Sequence, residues 1–403
     1  MHTLFLQIQI ITMTSLSIFS CSNIETNSKT GGGEQIRENT TQVTSSLSEI
    51  VETNPVGIMH QKKTSTVRIP DKRISHVNKV EKIPDKKTPE VISSEKAAQL
   101  LFPVGGKNNN EIWKLKLKSC TGTDSEKIRC LLRKKYSKYP KALKLAIDFY
   151  NRFGNVAGVR PEQTVDGGWR GILKMIPRLP VGRKHRHLAG VLASFKEYEM
   201  FFKWLSEKGK KHPNFRITNI SFKFYVTPGR KTPSASAWKW NIAYNLNGSL
   251  LKNMDGIRET LYHELFHLND AVHNNWSERK LRVTYDSILA KCRKYRVRGN
   301  RQSRRYQKCL LPYAPYKTTV LKDNVFYAFH PESDAGEYAA ELAVRYYLEH
   351  RAILKKLPEH KHKKTLGYSA RGNFKCGPKE NLLVWNLIRD EFFGGNDLTP
   401  PCK

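Results

Sequence analysis

His263, Glu264 and His267, in the run His-Glu-Leu-Phe-His, are the residues of this chain best suited by type and spacing to do chemistry. On a helix, side chains at i and i+4 leave one face with Cβ atoms about 5–6 Å apart, so two imidazoles can hold one Zn²⁺. The glutamate then lies beside the ion, where it can accept a proton from a water that the metal activates. The competing reading is a pair of partly buried histidines bonded to backbone or carboxylates. Such a string arises by chance in roughly a few per cent of chains of this size, so its surroundings decide between the two.

Those surroundings supply a helix. Ile257, Leu261, Leu265, Leu268 and Val272 recur at helical spacing and predict an amphipathic helix over 255–272 with this stripe toward the core. Asn253 or Asp255 is its cap. His263, His267 and Asp270 fall on an adjacent face.

A catalytic zinc takes three protein ligands and keeps a position for water. The best source of the third is the stretch from Glu332 to Glu341. There Glu337 and Glu341 share a helix face, and Ala339, Ala340 and Ala343 permit close helix approach. Asp334 and Glu337 also have capping-box spacing, which would turn Glu337 back to the helix start and make Glu341 the ligand. Asp270 sits on the histidines' own helix, poorly placed to complete a tetrahedron. It is expected to bond a histidine or cap a neighbouring element.

Further elements frame this pair. Helices are predicted over 139–153, with Gly154 as the stop, and over 186–208. A strand over 220–226 ends at the turn Pro228-Gly229, and the alternation of Trp238, Trp240, Ile242, Tyr244 and Leu246 predicts a half-buried strand. Helices follow over 277–294, 334–355 and 379–393. Strands before the His-Glu-Leu-Phe-His helix and helices after it make an α+β body over 97–403, its sheet in 97–275 and a mainly helical part in 276–403.

Residues 4–19 form a mostly apolar run that ends at Ser20-Cys21, a pattern resembling a bacterial lipoprotein signal over 1–21 with Cys21 lipidated; an ordinary secretory signal is the alternative. Residues 22–96 are polar, poor in aromatics and carry Gly31-Gly32-Gly33, which predicts a stalk. The chain is therefore expected to be exported, as a cell-envelope lipoprotein or a secreted protein, touching a membrane only through its anchor. The six remaining cysteines fall in three sequence-local pairs, Cys120–Cys130, Cys292–Cys309 and Cys376–Cys402, none with the spacing of a zinc knuckle. Disulfides are the better expectation.

Net charge is +34, and residues 22–100 hold 12 Lys and Arg against 10 Asp and Glu, so nearly all the excess lies elsewhere. Such a field favours anionic partners. Between Cys292 and Cys309 stand Arg293, Lys294, Arg296, Arg298, Arg301, Arg304, Arg305 and Lys308 with no acidic residue, a loop suited to an anionic surface or polymer. Export ranks nucleic acid below envelope surfaces and acidic substrates. The run Glu359–Lys364 reads as an exposed turn rather than a second metal site.

His263-Glu264-Leu265-Phe266-His267-Leu268-Asn269-Asp270, followed by Glu337-Tyr338-Ala339-Ala340-Glu341, resembles the gluzincin zinc metallopeptidases, in particular the anthrax toxin lethal-factor-like branch. The likeness covers about residues 238–350. It implies a zincin-like fold, a small sheet with its edge strand packed on the metal-binding helix. It also implies Zn²⁺ on His263, His267 and Glu337, Glu264 as general base and Glu341 behind the ligands. Trp238–Leu246 would be the edge along which a peptide or protein substrate lies antiparallel. That branch places a tyrosine seven residues before the ligand glutamate to stabilise the oxyanion; His330 stands there in this chain, with Tyr327 the nearest alternative. The implied activity is hydrolysis of peptide bonds. Two other readings fit the composition: a non-catalytic basic envelope lipoprotein gripping an anionic polymer, and a zinc hydrolase of cell-wall peptide or amide bonds.

Overall fold

The computed structural model describes residues 92–103, 112–167, 170–209, 211–295, 303–316, 319–320, 325–331, 333–358 and 372–402. The signal segment with Cys21, the stalk up to residue 91, Arg296, Arg298 and Arg301 of the basic loop, Glu332 and the 359–364 run lie outside them. All described residues belong to one unit, Val80–Lys403.

Helices open the body: α1 (Ser94–Leu101), α2 (Ile112–Lys118), α3 (Asp124–Tyr136) and α4 (Pro140–Phe153). Their ends follow from side-chain chemistry. Ser93 accepts from the Lys96 N–H to start α1, and Thr123 and Glu126 form a reciprocal capping box on α3. Pro140 begins α4, and Gly154, at φ 65°, closes it in the left-handed region where a Cβ is costly. Helix α1, which starts at Ser94, buries Ser94, Ala97, Ala98, Leu100 and Leu101.

The sheet comprises β1 (Val156–Val159), β2 (Gln163–Asp166), β3 (Ile172–Pro177), β4 (Ser221–Val226), β5 (Ala235–Trp238) and β6 (Asn241–Asn245), with helix α5 (His185–Lys208) between β3 and β4. Its order is β2-β3-β4-β6-β5. On one side of β4, β1 pairs parallel from Val156↔Ser221 to Val159↔Phe224, and β3 takes over antiparallel at Ile176↔Val226. On the other side β6 pairs parallel, placing Phe222 beside Ile242 and Phe224 beside Tyr244. All four are fully buried.

The segment 238–246 is not the single strand its alternation predicts. Lys239 and Trp240 adopt φ of 45° and 57°, and the chain reverses there into an antiparallel β5–β6 hairpin. Asn241 holds the reversal by donating to the Lys239 carbonyl at 2.7 Å, and the Arg216 guanidinium lies 3.8 Å from the Trp240 ring centroid. The edge strand is therefore β5, while β6 lies inside the sheet.

Helices follow: α6 (Met254–Val272), α7 (Trp276–Cys292), α8 (Arg304–Leu310), α9 (Ala335–Leu354) and α10 (Lys379–Phe392), with a short hairpin of β7 (Thr319–Val320) and β8 (Val325–Phe326) before α9. This is the expected α+β arrangement, although helices also precede the sheet and one continuous core joins the two parts expected at 275/276. Helix α6 packs against α5, β5 and α9. Tyr262 lies between Tyr347 of α9 (ring centroids 4.4 Å) and Phe215 (5.5 Å), both nearly parallel to it. Ala339, Ala340 and Ala343 are fully buried, so α9 presents small side chains where it meets its neighbours. Val272, at the helix end, is 58 % exposed and leaves the apolar stripe.

Cystines join Cys120 to Cys130, Cys292 to Cys309 and Cys376 to Cys402, the three sequence-local pairs. Within α9, Arg345 and Glu349 form a fully buried ion pair at 2.6 Å, and Glu349 also accepts from the Phe374 N–H at 2.8 Å. Removing one partner strands a buried charge, so Glu349→Ala is expected to lower stability by about 3–5 kcal/mol. Urea unfolding checks this as a lower midpoint at unchanged slope; a change within ~0.5 kcal/mol would contradict it. Among the described residues no helix is long and apolar enough to cross a membrane.

Candidate metal centre

Two helix starts position the centre. On α6 the cap is Asn253, whose side chain accepts from the Gly256 N–H at 2.8 Å, while Asp255 pairs with Arg258. Two turns on, His263 and His267 leave the same face, their rings 4.7 Å apart and nearly perpendicular. On α9, Asp334 accepts from the N–H groups of Gly336 and Glu337 at 2.9 and 3.0 Å. That cap satisfies the helix start without the Glu337 side chain, which turns to the histidines instead.

His263 Nε2 lies 3.0 Å from Glu337 Oε2, His267 Nε2 lies 3.5 Å from the same oxygen, and the two Nε2 atoms are 3.1 Å apart. Among the described residues these three form the one group of histidine, cysteine and carboxylate side chains close enough to share an ion. A tetrahedral ion with bonds of ~2.0–2.1 Å sets its ligand atoms about 3.3–3.4 Å apart, and two imidazoles with one carboxylate are a catalytic zinc donor set. Donor type and spacing therefore both fit Zn²⁺. Glu341, one turn further along α9, is 2 % exposed and outside this group. Its charge adds to burial and to the charge of Glu259 in raising the Tyr316 phenol, whose hydroxyl bonds Glu259.

The electrostatics are those of a compact charge cluster. Burial alone would raise Glu337, but hydrogen bonds from His263 and His267 hold it well below the usual carboxylate range. Burial would lower His267, yet the Glu337 hydrogen bond and the charges of Glu337, Glu264 and Asp270 raise it to about 9. Glu264 is 7 % exposed; burial pushes its carboxyl up, opposed by His263, His267 and Arg170. Asp270 spends its oxygens on Ser277, accepting from the N–H and the hydroxyl at 2.7 Å each, and so caps the start of α7.

Of the two oxyanion candidates, Tyr327 faces the centre. Its ring lies 6.1 Å from that of His263, and burial together with the Glu337 and Glu264 charges holds its hydroxyl well above the ordinary value. His330 is buried where that turn ends, its N–H on the Tyr327 carbonyl at 3.1 Å.

Sequence reasoning missed Arg170. From the β2–β3 connection it hydrogen-bonds Tyr327 and places a positive charge near Glu264. A single arginine among 70 Lys and Arg carries no local signal, because long-range folding brings it here. No family model, curated protein or solved structure matches this chain.

Proposed function

We propose that this protein is an exported, zinc-dependent metallopeptidase with a zincin-like fold, as the gluzincin resemblance implies. The observation that carries the reading is the convergence of His263 Nε2, His267 Nε2 and Glu337 Oε2, with the Glu264 carboxyl buried between the two histidines in sequence. When bound there, zinc supplies Lewis acidity to the scissile carbonyl and lowers the pKa of water.

The chain's own residues do the rest. Glu264, with its raised pKa, is the base that takes the proton of the attacking water and returns it to the leaving amine. Tyr327 accepts from Arg170 and keeps its own O–H to donate to the oxygen on which negative charge develops. Strand β5 pairs only with β6 among the described strands, so its outer edge offers backbone groups to an extended peptide. Strand β5 packs against α6, the helix that holds the histidines. Three cystines agree with folding outside a reducing cytosol, and the Cys21 anchor remains part of the proposal.

The test is zinc content measured together with cleavage of a mixed peptide library. We expect one zinc per chain, loss of cleavage on chelation and recovery on adding zinc back. Full cleavage by metal-stripped protein would sink the reading; so would stoichiometric zinc without cleavage in any pool.

A further inference from the structure

A cavity of about 350 Å³ lies where the first turn of α5 meets the loops that leave β4 and β6. Lys184, Arg186, Arg230, Lys231 and Lys252 stand in its walls, and no Asp or Glu is among the described residues lining it. Like charges around one concavity repel each other and attract a counter-ion. The N-terminus of α5, with no side-chain cap at Lys184, adds the positive end of a 24-residue helix.

Two lining residues add neutral donors from deeper in the wall. His187 and Thr227 are each 2 % exposed, and His187 Nε2 and Thr227 Oγ1 have no hydrogen-bond partner. Native structures leave few such atoms, and each calls for a reason. His187 Nδ1 faces the Tyr244 hydroxyl at 3.1 Å. Burial holds that phenol well above its ordinary value, so it keeps its proton, and the tautomer in which it donates to Nδ1 is the one that carries the ring proton on Nε2. Burial, with Lys184 and Arg186 alongside, pushes His187 down to about 4, and the ring stays a neutral N–H donor at pH 7.

Two of the cations are already engaged. Lys184 donates to the Leu246 carbonyl and to Asn247 Oδ1 at 2.9 Å each, and Arg230 donates to the Arg170 carbonyl at 2.6 Å. Arg186, Lys231 and Lys252 are exposed at the rim.

We propose that this cavity binds a phosphate group, held by the His187 N–H and the Thr227 O–H in its wall and by Arg186, Lys231 and Lys252 at its rim. The donors come from three separate segments, the start of α5, the loop after β4 and the loop before α6. A tetrahedral oxyanion has acceptor oxygens for all three, whereas a planar carboxylate has two. No residue of this cavity belongs to the His263, His267 and Glu337 centre, so the site does not depend on the metallopeptidase reading.

Calorimetric titration of the full chain with inorganic phosphate, at ionic strength fixed with chloride, tests the assignment. Saturable binding of one equivalent is expected. Arg186→Gln/Lys252→Gln should weaken it at least tenfold, and Thr227→Val should weaken it with no change of charge. Lys141→Gln/Lys144→Gln removes two exposed charges from α4 and should leave binding intact; His267→Ala, which takes away a candidate metal ligand, should do the same. Short-chain phosphatidate is the second probe: tighter binding of it assigns a lipid headgroup, and tighter binding of inorganic phosphate assigns the free ion. No saturable binding of either probe overturns the site. An equal loss in the α4 pair, or loss in His267→Ala, overturns it too.

Discussion

Glu264→Gln protein is expected to carry zinc at the wild-type ratio and to hydrolyse peptides about 10²–10⁴-fold more slowly, the range a positioned general base contributes. Glutamine matches glutamate in size, so the fully packed neighbours Leu261, Leu265 and Leu268 need not move. The charge does change. Glu264 is one of the negative groups that hold His267 up, so the variant should show a lower His267 pKa in the metal-free state. The two effects separate base chemistry from metal retention. Zinc is read by elemental analysis, hydrolysis by kcat/KM on one cleaved peptide, and the histidine by NMR titration. Activity within a few-fold of wild type would remove Glu264 from the role of base.

The parts of this centre visible in the sequence are those set by local periodicity. His263, Glu264 and His267 need only α6 to be a helix, and Ile257 to Leu268 settle that within four turns. The choice between Glu337 and Glu341 is different. Asp334 three residues before Glu337 fits a capping box, and only the three-dimensional helix start shows Asp334 satisfying both N–H groups with its own carboxylate. The hairpin at 238–241 hides for a related reason. Alternation runs unbroken through Lys239 and Trp240, and neither residue is a glycine or asparagine of the kind that advertises a positive-φ turn. Strands β1 and β2 have four residues each, too short for a period to register. Arg170 and Tyr327 belong to connections whose placement depends on the whole sheet and on α9, so their meeting with Glu264 is a tertiary fact.

Glu337→Ala should weaken zinc binding by more than the roughly 10–100-fold typical of residues that only support a ligand, whereas Glu341→Gln should stay within that range. The pH dependence gives the same assignment an independent readout. In the metal-free protein His267 titrates near 9, above its usual value, because Glu337 pairs with it. Its pairing therefore stabilises the fold fully below about pH 6.5 and is lost as pH rises through about 9. Glu337 is shifted the opposite way, so its contribution is present above the ordinary carboxylate pKa of about 4.5 and fades only in stronger acid. Zinc needs His267 without its proton, so uptake at pH 7 should release about one proton from that ring, and affinity should climb with pH toward 9. Metal-free thermal stability and zinc affinity are thus expected to move in opposite directions between pH 6.5 and 9. In Glu337→Ala the raised His267 value collapses, and both slopes flatten together. Calorimetry in buffers of different ionisation enthalpy counts the protons. Zinc affinity unchanged across this window would mean that His267 does not bind the ion, and slopes unaltered in Glu337→Ala would mean that Glu341 or another group holds the histidine instead.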